Sequence, residues 1–321
     1  MVLVVVAAGG AAFTWQQLLH PPLRSHASLQ MKPSPVAPGA LRARFFGATT
    51  IQLDDGQTAV MTDGFFSRPG LMEVFFRDIV PDRSRIDMAL RKGNVSKLAA
   101  LLVAHSHHDH AMDCAVVAHR TGALLVGSAS TANIGRGYGM TDDQLRIVKH
   151  RDTLDFGRFT VEIFASPHSP GGSNPGEIAA PLRPPVRASA YKEGGSYAFL
   201  LRHPQGNILI HPSANFVPGL YKGVKADAVF LSIGLLGKQS QAFARDYWRE
   251  VVQATGAKLV IPIHWDDFTR PLNEPLQPMP HLMDDFERGM QSLLKLAEAD
   301  GVLVRFMPLF EAFDLTRGAR N

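Results

Sequence analysis

Residues 105–110, with the sequence HSHHDH, carry most of the chemistry that this chain can offer. Five of the six side chains are of types that bind metal ions. His105 and His107 are two residues apart in what reads as an extended turn, so they can point to the same side and share one ion. Asp109 and His110 follow at the start of the next element and can face a second ion close by. Neutral imidazole and carboxylate suit zinc, and also iron or manganese.

The segment before this motif predicts where these side chains lie. Leu98–Ala104 (LAALLVA) is an apolar run bounded by polar residues, and it reads as a short buried strand. A strand that ends in imidazoles and a carboxylate puts them at the mouth of a sheet, where loops carry functional sites. The alternative is a polar surface turn without a function. The position of the motif directly after a predicted buried strand argues against this alternative.

A His-x-His-x-Asp-His motif after an apolar strand resembles the signature of the metallo-β-lactamase superfamily. The resemblance runs from about Leu41 to the C-terminus, and it implies a four-layer αβ/βα sandwich of the α/β class. Two more histidines match it: His168, shortly after a predicted strand, and His264, directly after another. The resemblance therefore implies one metal site formed by His105, His107 and His168, and a second formed by Asp109, His110 and His264.

The family also implies a reaction. A metal-bound water that loses its proton near neutral pH supplies hydroxide, which would attack an ester, lactone or phosphodiester. One or two zinc ions are expected, and manganese or iron would also suit. Asp109 is expected to act in catalysis as well, by taking a proton as the intermediate breaks down. Asp63 would support the metal loop through the free N–H of a ligand imidazole, or would simply cap a turn.

Two alternatives to this interpretation concern the class of function and the branch of the family. A non-catalytic metal-binding or partner-binding module can use the same fold, and an open coordination position would distinguish the enzyme from it. The segment IPIHWD around His264 resembles the branch that contains the ascorbate-6-phosphate lactonase-like and N-acylphosphatidylethanolamine phospholipase D-like hydrolases. A small-molecule or lipid-like substrate is expected in either case.

One position departs from the family pattern. The superfamily usually places an aspartate that bridges both metals after the strand that corresponds to residues 207–210. This chain continues with HPSAN, and no Asp or Glu occurs between Glu193 and Asp227. Ser213 takes the bridge position in the best alignment, and a neutral hydroxyl offsets the repulsion of two cations poorly. His211 would be a substitute ligand or a structural histidine.

Composition limits the kinds of partner and of covalent cross-link that we expect. The net charge of +4 is mild and is not gathered in a basic run, so nucleic acid is not expected as a partner. The single cysteine, Cys114, excludes a disulfide within the chain, and we expect it to pack inertly on a buried helix over residues 113–121 that ends at Gly122.

The N-terminal region predicts where the folded domain begins and where in or outside the cell the protein is located. Residues 1–13 (MVLVVVAAGGAAF) are apolar throughout, which fits a signal peptide or membrane anchor better than an apolar helix lying on the domain. Export or membrane attachment is therefore expected. A Pro-rich linker over residues 32–39 follows, so the interpretation divides the chain into residues 1–40, leader and linker, and residues 41–321, the hydrolase domain.

A long irregular stretch, residues 169–196, follows His168 and contains five prolines and five glycines. Loops of this length inside a domain are usually functional or disordered, so we expect a flap over the site that shapes substrate choice. Three cations on the flap would meet an anionic group or remain solvated: Arg183, Arg187 and Lys192. Elsewhere, strands are predicted over residues 155–164, 226–233, 258–263 and 302–313, and amphipathic helices over 239–255 and 283–297.

Overall fold

The computed structural model describes residues 19–33 and 35–315, so the predicted leader over residues 1–13 lies outside the described part of the chain. Residues 19–31 pack against the C-terminal half. Within them Leu23–Leu29 forms a 3-10 helix, and the Met31 N–H donates to the carbonyl of Phe306 at 2.8 Å. In the described residues, no helix has the length and apolarity needed to cross a bilayer.

Sixteen strands form in the described residues, most of them short. In chain order they are β1 Arg42–Phe45, β2 Ile51–Asp54, β3 Ala59–Thr62, β4 Asp78–Ile79, β5 Ala100–Leu102, β6 Leu124–Gly127, β7 Leu145–Ile147, β8 Thr153–Phe156, β9 Phe159–Ala165, β10 Val186–Arg187, β11 Tyr197–His203, β12 Gly206–His211, β13 Ala228–Ser232, β14 Leu259–Ile263, β15 Leu303–Val304 and β16 Ala312–Asp314.

The α-helices of the described residues are α1 Leu71–Phe76, α2 Arg83–Lys92, α3 His108–Ala111, α4 Cys114–Thr121, α5 Ala129–Gly137, α6 Gln241–Trp248 and α7 Phe286–Asp300. Short 3-10 turns cover Asp142–Gln144, Ala188–Ala190 and Leu236–Lys238, and α6 continues into a π-helical turn at Arg249–Gln253.

Two seven-stranded sheets organise the chain. The first has the order β16-β1-β2-β3-β5-β6-β7, and the second has the order β15-β14-β13-β12-β11-β9-β8. Strand β5, which leads to the HSHHDH motif, is parallel to β3 and β6. Strand β14, which leads to His264, is parallel to β13 and β15, whereas β9, which leads to His168, is antiparallel to β8 and β11. With helices packed on both sheets, the predicted α/β sandwich is confirmed.

The side chains of β5 show why the sheets face each other. Ala100 and Leu102 belong to the large apolar cluster between the sheets, while Leu101 belongs to a second cluster under the helices. Alternate residues of a strand point to opposite faces, so a fully apolar strand is buried on both sides. The strand predicted from Leu98–Ala104 is therefore a central strand of the first sheet.

Several predicted elements are confirmed and others are corrected. Helix α4 ends at Gly122, whose φ of +68° is the left-handed conformation that a C-terminal glycine provides. Burial raises the pKa of the Cys114 thiol, in keeping with inert packing. The strand predicted over residues 155–164 is instead two antiparallel strands, β8 and β9, which turn at Gly157. The single closing strand predicted over 302–313 is two strands, β15 and β16, one in each sheet.

Candidate metal centre

The motif follows β5 at the edge where the parallel strands of the first sheet end. His107 caps α3, and Asp109 and His110 lie on that short helix. His168 comes three residues after the last residue of β9, and His264 directly follows β14. Because the ends of these strands meet at one edge of the sandwich, residues more than 150 positions apart in sequence converge there. Two clusters result, in each of which the ligand atoms lie within 4.8 Å of one another: His105, His107 and His168; Asp109, His110 and His264.

The first cluster contains a buried imidazole that lacks a partner. His105 is 1% exposed, and among the residues that the structure describes none hydrogen-bonds to either of its ring nitrogens. Its ring centroid lies 4.8 Å from that of His107 and 4.7 Å from that of His168. Buried polar atoms are rarely left unsatisfied, because each costs free energy. A metal ion held by the three rings would satisfy His105, so the donor set fits one.

In the other two rings of this cluster, one nitrogen contacts a backbone carbonyl oxygen, and the other nitrogen is left for a metal ion. His107 Nε2 lies 3.3 Å from the carbonyl oxygen of Asn174, and His168 Nδ1 donates to the carbonyl of Ser169 at 3.0 Å. Such bonds fix which nitrogen of a ligand histidine faces the metal. His107 would therefore bind through Nδ1 and His168 through Nε2.

The second cluster forms a triangle of donor atoms. His110 Nε2 lies 3.2 Å from His264 Nε2, and Asp109 Oδ2 lies 3.5 Å from His264 Nε2 and 3.7 Å from His110 Nε2. Zinc–nitrogen bonds of about 2.0–2.1 Å in a tetrahedron give donor separations of roughly 3.3 Å. The observed triangle is close to that size, so this donor set also fits a metal ion.

Asp63 lies behind His110 and is hydrogen-bonded to its ring. Its Oδ2 accepts from His110 Nδ1 at 2.9 Å, and its Oδ1 accepts from the backbone N–H of Ala104 at 2.7 Å. The Thr49 hydroxyl donates to the same carboxylate and lies 2.9 Å from His110 Nδ1. All three side chains are buried. This contact leaves Nε2 of His110 for the metal and fixes the ring.

The pKa values at the site favour metal-binding forms of its side chains. Burial lowers the pKa of His105 well below its ordinary value, and the neighbouring imidazoles lower it further. Burial, with His107 and His110 close by, lowers the pKa of His168 to about 4. Burial alone would raise the pKa of Asp109, but His110 and the hydrogen bond to His264 hold that pKa well below its ordinary value. The cluster of three histidines therefore offers neutral imidazoles, and the second cluster offers an ionised carboxylate, the forms that bind metal.

His211 and Ser213, the candidates for the bridge position, have different surroundings. His211 Nδ1 lies 2.8 Å from the Tyr221 hydroxyl, and Nε2 lies 2.8 Å from the carbonyl oxygen of Asn215, so both ring nitrogens are engaged away from the metal clusters. Burial lowers the pKa of His211 to about 4. Ser213 is 5% exposed and lines the cavity over the metal clusters. Of the two candidates, Ser213 lines the cavity over the clusters and His211 does not, and the bridge position itself stays a prediction.

A cavity of about 440 Å³ opens onto both clusters and is lined by His107, Asp109, His168 and His264 among the ligands. The flap contributes only its first six residues, Ser169–Asn174, to the lining. Arg183, Arg187 and Lys192 are not among the lining residues. Arg187 instead donates to the carbonyl of Phe75, and the Lys192 carbonyl accepts from the Ser106 hydroxyl at 2.6 Å. The cation on the cavity wall is Lys238, which the sequence interpretation did not single out.

A buried ion pair holds the loop that bears His264. Arg68 Nη2 donates to Asp266 Oδ2 at 2.7 Å, and both side chains are fully buried. Asp266 Oδ1 accepts from the Ala48 N–H at 2.7 Å, and the Ala48 carbonyl accepts from the His264 N–H at 2.8 Å. Hydrogen bonds of Ala48 therefore connect His264, which follows a strand of the second sheet, to the first sheet. Nothing in the local sequence of these residues indicates a contact about 200 positions away.

Two facing sheets with this centre at their strand ends define the class of protein, a metallo-β-lactamase fold with two adjacent groups of metal ligands. Solved structures agree with that fold. The chain is similar to Igni18, a metallo hydrolase from Ignicoccus hospitalis, with a TM-score of 0.54 and 14% identity over 85% of this chain and 97% of that one. It is also similar to the metallo-beta-lactamase fold protein YhfI from Bacillus subtilis, with a TM-score of 0.50 and 12% identity over 85% and 99% of the two chains. A third is CmlA, a diiron β-hydroxylase from Streptomyces venezuelae, with a TM-score of 0.53 and 15% identity over 87% and 55%.

Sequence relatives point the same way. The chain is 30% identical to a UPF0173 metal-dependent hydrolase from Heliobacterium modesticaldum over 131 residues, which span 41% of this chain and 47% of that relative, less than half its length. It is 25% identical to a UPF0173 metal-dependent hydrolase from Methylobacterium nodulans over 231 residues, 71% of this chain and 86% of that one. No family model matches the chain. The predicted metallo-β-lactamase fold is confirmed, and the sequence similarity is to metal-dependent hydrolases. The narrower lactonase or phospholipase branch stays a prediction.

Proposed function

We propose that the protein is a metal-dependent hydrolase that cleaves a carboxylic ester or lactone. The observation that carries this proposal is the cavity that opens onto ligand atoms of both clusters. A structural metal site is closed, whereas a catalytic one keeps an open position toward substrate. That opening argues against a non-catalytic metal-binding module on the same fold.

Zinc is the proposed metal, because five imidazoles and one carboxylate suit its preferences. Iron is the alternative that the diiron structural neighbour makes worth testing. When bound, the metal supplies an acidified water as nucleophile and polarises the scissile group. His105, His107 and His168 would hold one ion, and Asp109, His110 and His264 would hold the other.

The chain's own residues would bind and orient the substrate. Hydrolysis of an ester joins the water oxygen to the carbonyl carbon and breaks the bond to the leaving oxygen, which takes up the released proton. Asp109 lies on the cavity wall and is held in its ionised form, so its carboxylate can accept that proton and pass it to the leaving group. His110 stays fixed by Asp63 throughout and does not line the cavity.

The choice of ester or lactone over phosphodiester rests on the apolar part of the cavity wall. This wall contains Leu235, Phe268, Met279 and Met283, and Lys238 is the one lysine or arginine among the described lining residues. An apolar wall favours burial of the carbon skeleton of an ester or lactone. A phosphodiester remains the second candidate, because two metal ions would also bind a phosphoryl group.

A substrate panel tests the proposal. Zinc-loaded protein would be assayed on p-nitrophenyl esters, chromogenic lactones and bis-p-nitrophenyl phosphate, with Asp109→Asn as the matched control. We expect ester or lactone hydrolysis that the control loses by at least about a hundredfold, the scale of a lost acid–base and ligand group. Faster cleavage of the phosphodiester would select the second candidate. Binding of metal with no cleavage in any class would contradict the enzyme assignment.

A further inference from the structure

Leu235 adopts a backbone conformation that leucine rarely takes. Its φ is +64° and its ψ is 4°, in the left-handed region. A Cβ atom crowds the backbone there, so glycine is the usual residue. Asparagine and aspartate also occur, because their short polar side chains can hydrogen-bond locally. Backbone strain of this kind persists only where surrounding structure enforces it, and it gathers at functional sites.

Two hydrogen bonds hold Leu235 in this conformation, and the preceding residue, Gly234, lies close to His264. The N–H of Leu235 donates to Asp284 Oδ2 at 2.9 Å, and Asp284 is itself 4% exposed. The Gln239 amide donates to the Leu235 carbonyl at 3.3 Å. On the other side, a Cβ added at Gly234 would lie 2.8 Å from the carbonyl oxygen of His264. The turn at Gly234 and Leu235 therefore packs closely against His264, a member of the second cluster.

Leu235 lines the cavity that opens onto that cluster. Phe268, on the same wall, has its ring centroid 5.7 Å from that of His264, in an edge-to-face arrangement. Met279 and Met283 complete the wall. Methionine side chains adapt to the shape of apolar ligands, so this wall can pack against chains of different form. The apolar surface begins next to the metal ligands and not at a distance from them.

We propose that Leu235, Phe268, Met279 and Met283 form a subsite for the apolar acyl group of the substrate, and that Leu235 determines specificity within it. This inference rests on the proposed hydrolytic function and adds the substrate class, esters of apolar carboxylic acids. This role explains why leucine occupies a strained position. Its isobutyl group supplies an apolar contact to the substrate that glycine or asparagine, the residues usual in this conformation, would lack.

Two substitutions separate this role from a structural one. Leu235→Gly and Leu235→Asn both suit the left-handed backbone, and both remove the apolar side chain. We expect each variant to bind zinc normally, and Leu235→Gly to melt at the same or a higher temperature than the unaltered protein. The ratio of kcat/KM for p-nitrophenyl octanoate to that for p-nitrophenyl acetate should fall about tenfold or more in both. Leu282→Asn, on an exposed residue outside the lining, should leave the ratio unchanged.

A binding measurement keeps the test independent of catalysis. Titration calorimetry with octanoate and with acetate, on zinc-loaded protein, should show tighter binding of octanoate that both Leu235 variants lose and Leu282→Asn keeps. If octanoate preference is present but no ester is cleaved, the subsite stands and the proposed reaction fails. If esters are cleaved but neither the ratio nor the binding preference changes in the Leu235 variants, the subsite proposal is overturned.

Discussion

Asp63 and His110 are joined by a buried hydrogen bond of 2.9 Å between Oδ2 and Nδ1. The pair links β3 of the first sheet to the motif helix α3, and it leaves His110 with one nitrogen facing His264. Burial alone would lower the pKa of His110, but Asp63 and Asp109 raise it, so the ring is more basic than an isolated buried histidine. A more basic imidazole is a stronger metal ligand.

Substitution of Asp63 should therefore weaken the second metal site selectively. Asp63 has a φ of +56°, which asparagine tolerates, so Asp63→Asn keeps the backbone and removes the charge. We expect the affinity of the weaker metal site to fall roughly 10- to 100-fold, as measured by competition with a chromogenic chelator. Thr49→Val, which removes a hydroxyl from the same network, should have a smaller effect. Equal losses at both metal sites would contradict the expectation that Asp63 supports chiefly the second site.

Ser213 at the bridge position predicts two metal sites of unequal strength. Without a bridging carboxylate, less negative charge offsets the repulsion between two cations. We expect the site of three histidines to bind tightly and the site of Asp109, His110 and His264 to bind weakly. Ser213→Asp should bring the two affinities closer, while the neutral Ser213→Asn should not. Two equally tight sites in the unaltered protein would mean that another group replaces the bridge.

Gly47 should be intolerant of any side chain, because a Cβ there would lie 2.0 Å from Arg68 Nη2 and because its φ is +86°. Gly47→Ala must displace the guanidinium that pairs with buried Asp266. Breaking a buried ion pair typically costs about 3–5 kcal/mol of unfolding free energy. Gly122→Ala is the control, since Gly122 has a φ of +68° with nothing within 4 Å of its Cβ and should cost only about 1–2 kcal/mol. Urea denaturation of both variants would check the difference.

Asp55 should make stability depend on pH in the acid range. Burial would raise its pKa, but the backbone N–H groups of Thr58 and Gln57, at 2.8 and 2.9 Å, and His203 hold the pKa below its ordinary value. A depressed folded-state pKa gives stability that is present above the unfolded pKa of about 3.9 and lost as pH falls through the folded pKa. Asp55→Asn should flatten the fall in urea midpoint between about pH 5 and pH 3. An unchanged slope would show that other carboxylates dominate.

The sequence predicted those features that depend on local pattern. The ligand motif lies within six residues, and His168 and His264 were identified because each follows a predicted strand at a position that matches the family resemblance. Thr49 and the Arg68–Asp266 pair could not be predicted, because their roles depend on contacts with residues far away in sequence. Leu235 and Phe268 gave no signal either, since an apolar residue in a turn acquires meaning only when a cavity forms beside it. The cations of the flap were singled out by position, whereas the structure places Lys238 on the cavity wall.

The dependence of hydrolysis on bound metal tests the central claim most directly. Protein stripped with a chelator would be titrated with zinc, and in a parallel series with ferrous iron under anaerobic conditions. Ester cleavage, bound metal and melting temperature would be followed in the same samples. We expect cleavage to be absent in stripped protein and to return in proportion to bound metal, with a rise in melting temperature because metal binds the folded state. Full cleavage by metal-free protein, or failure to bind any transition metal, would contradict the account.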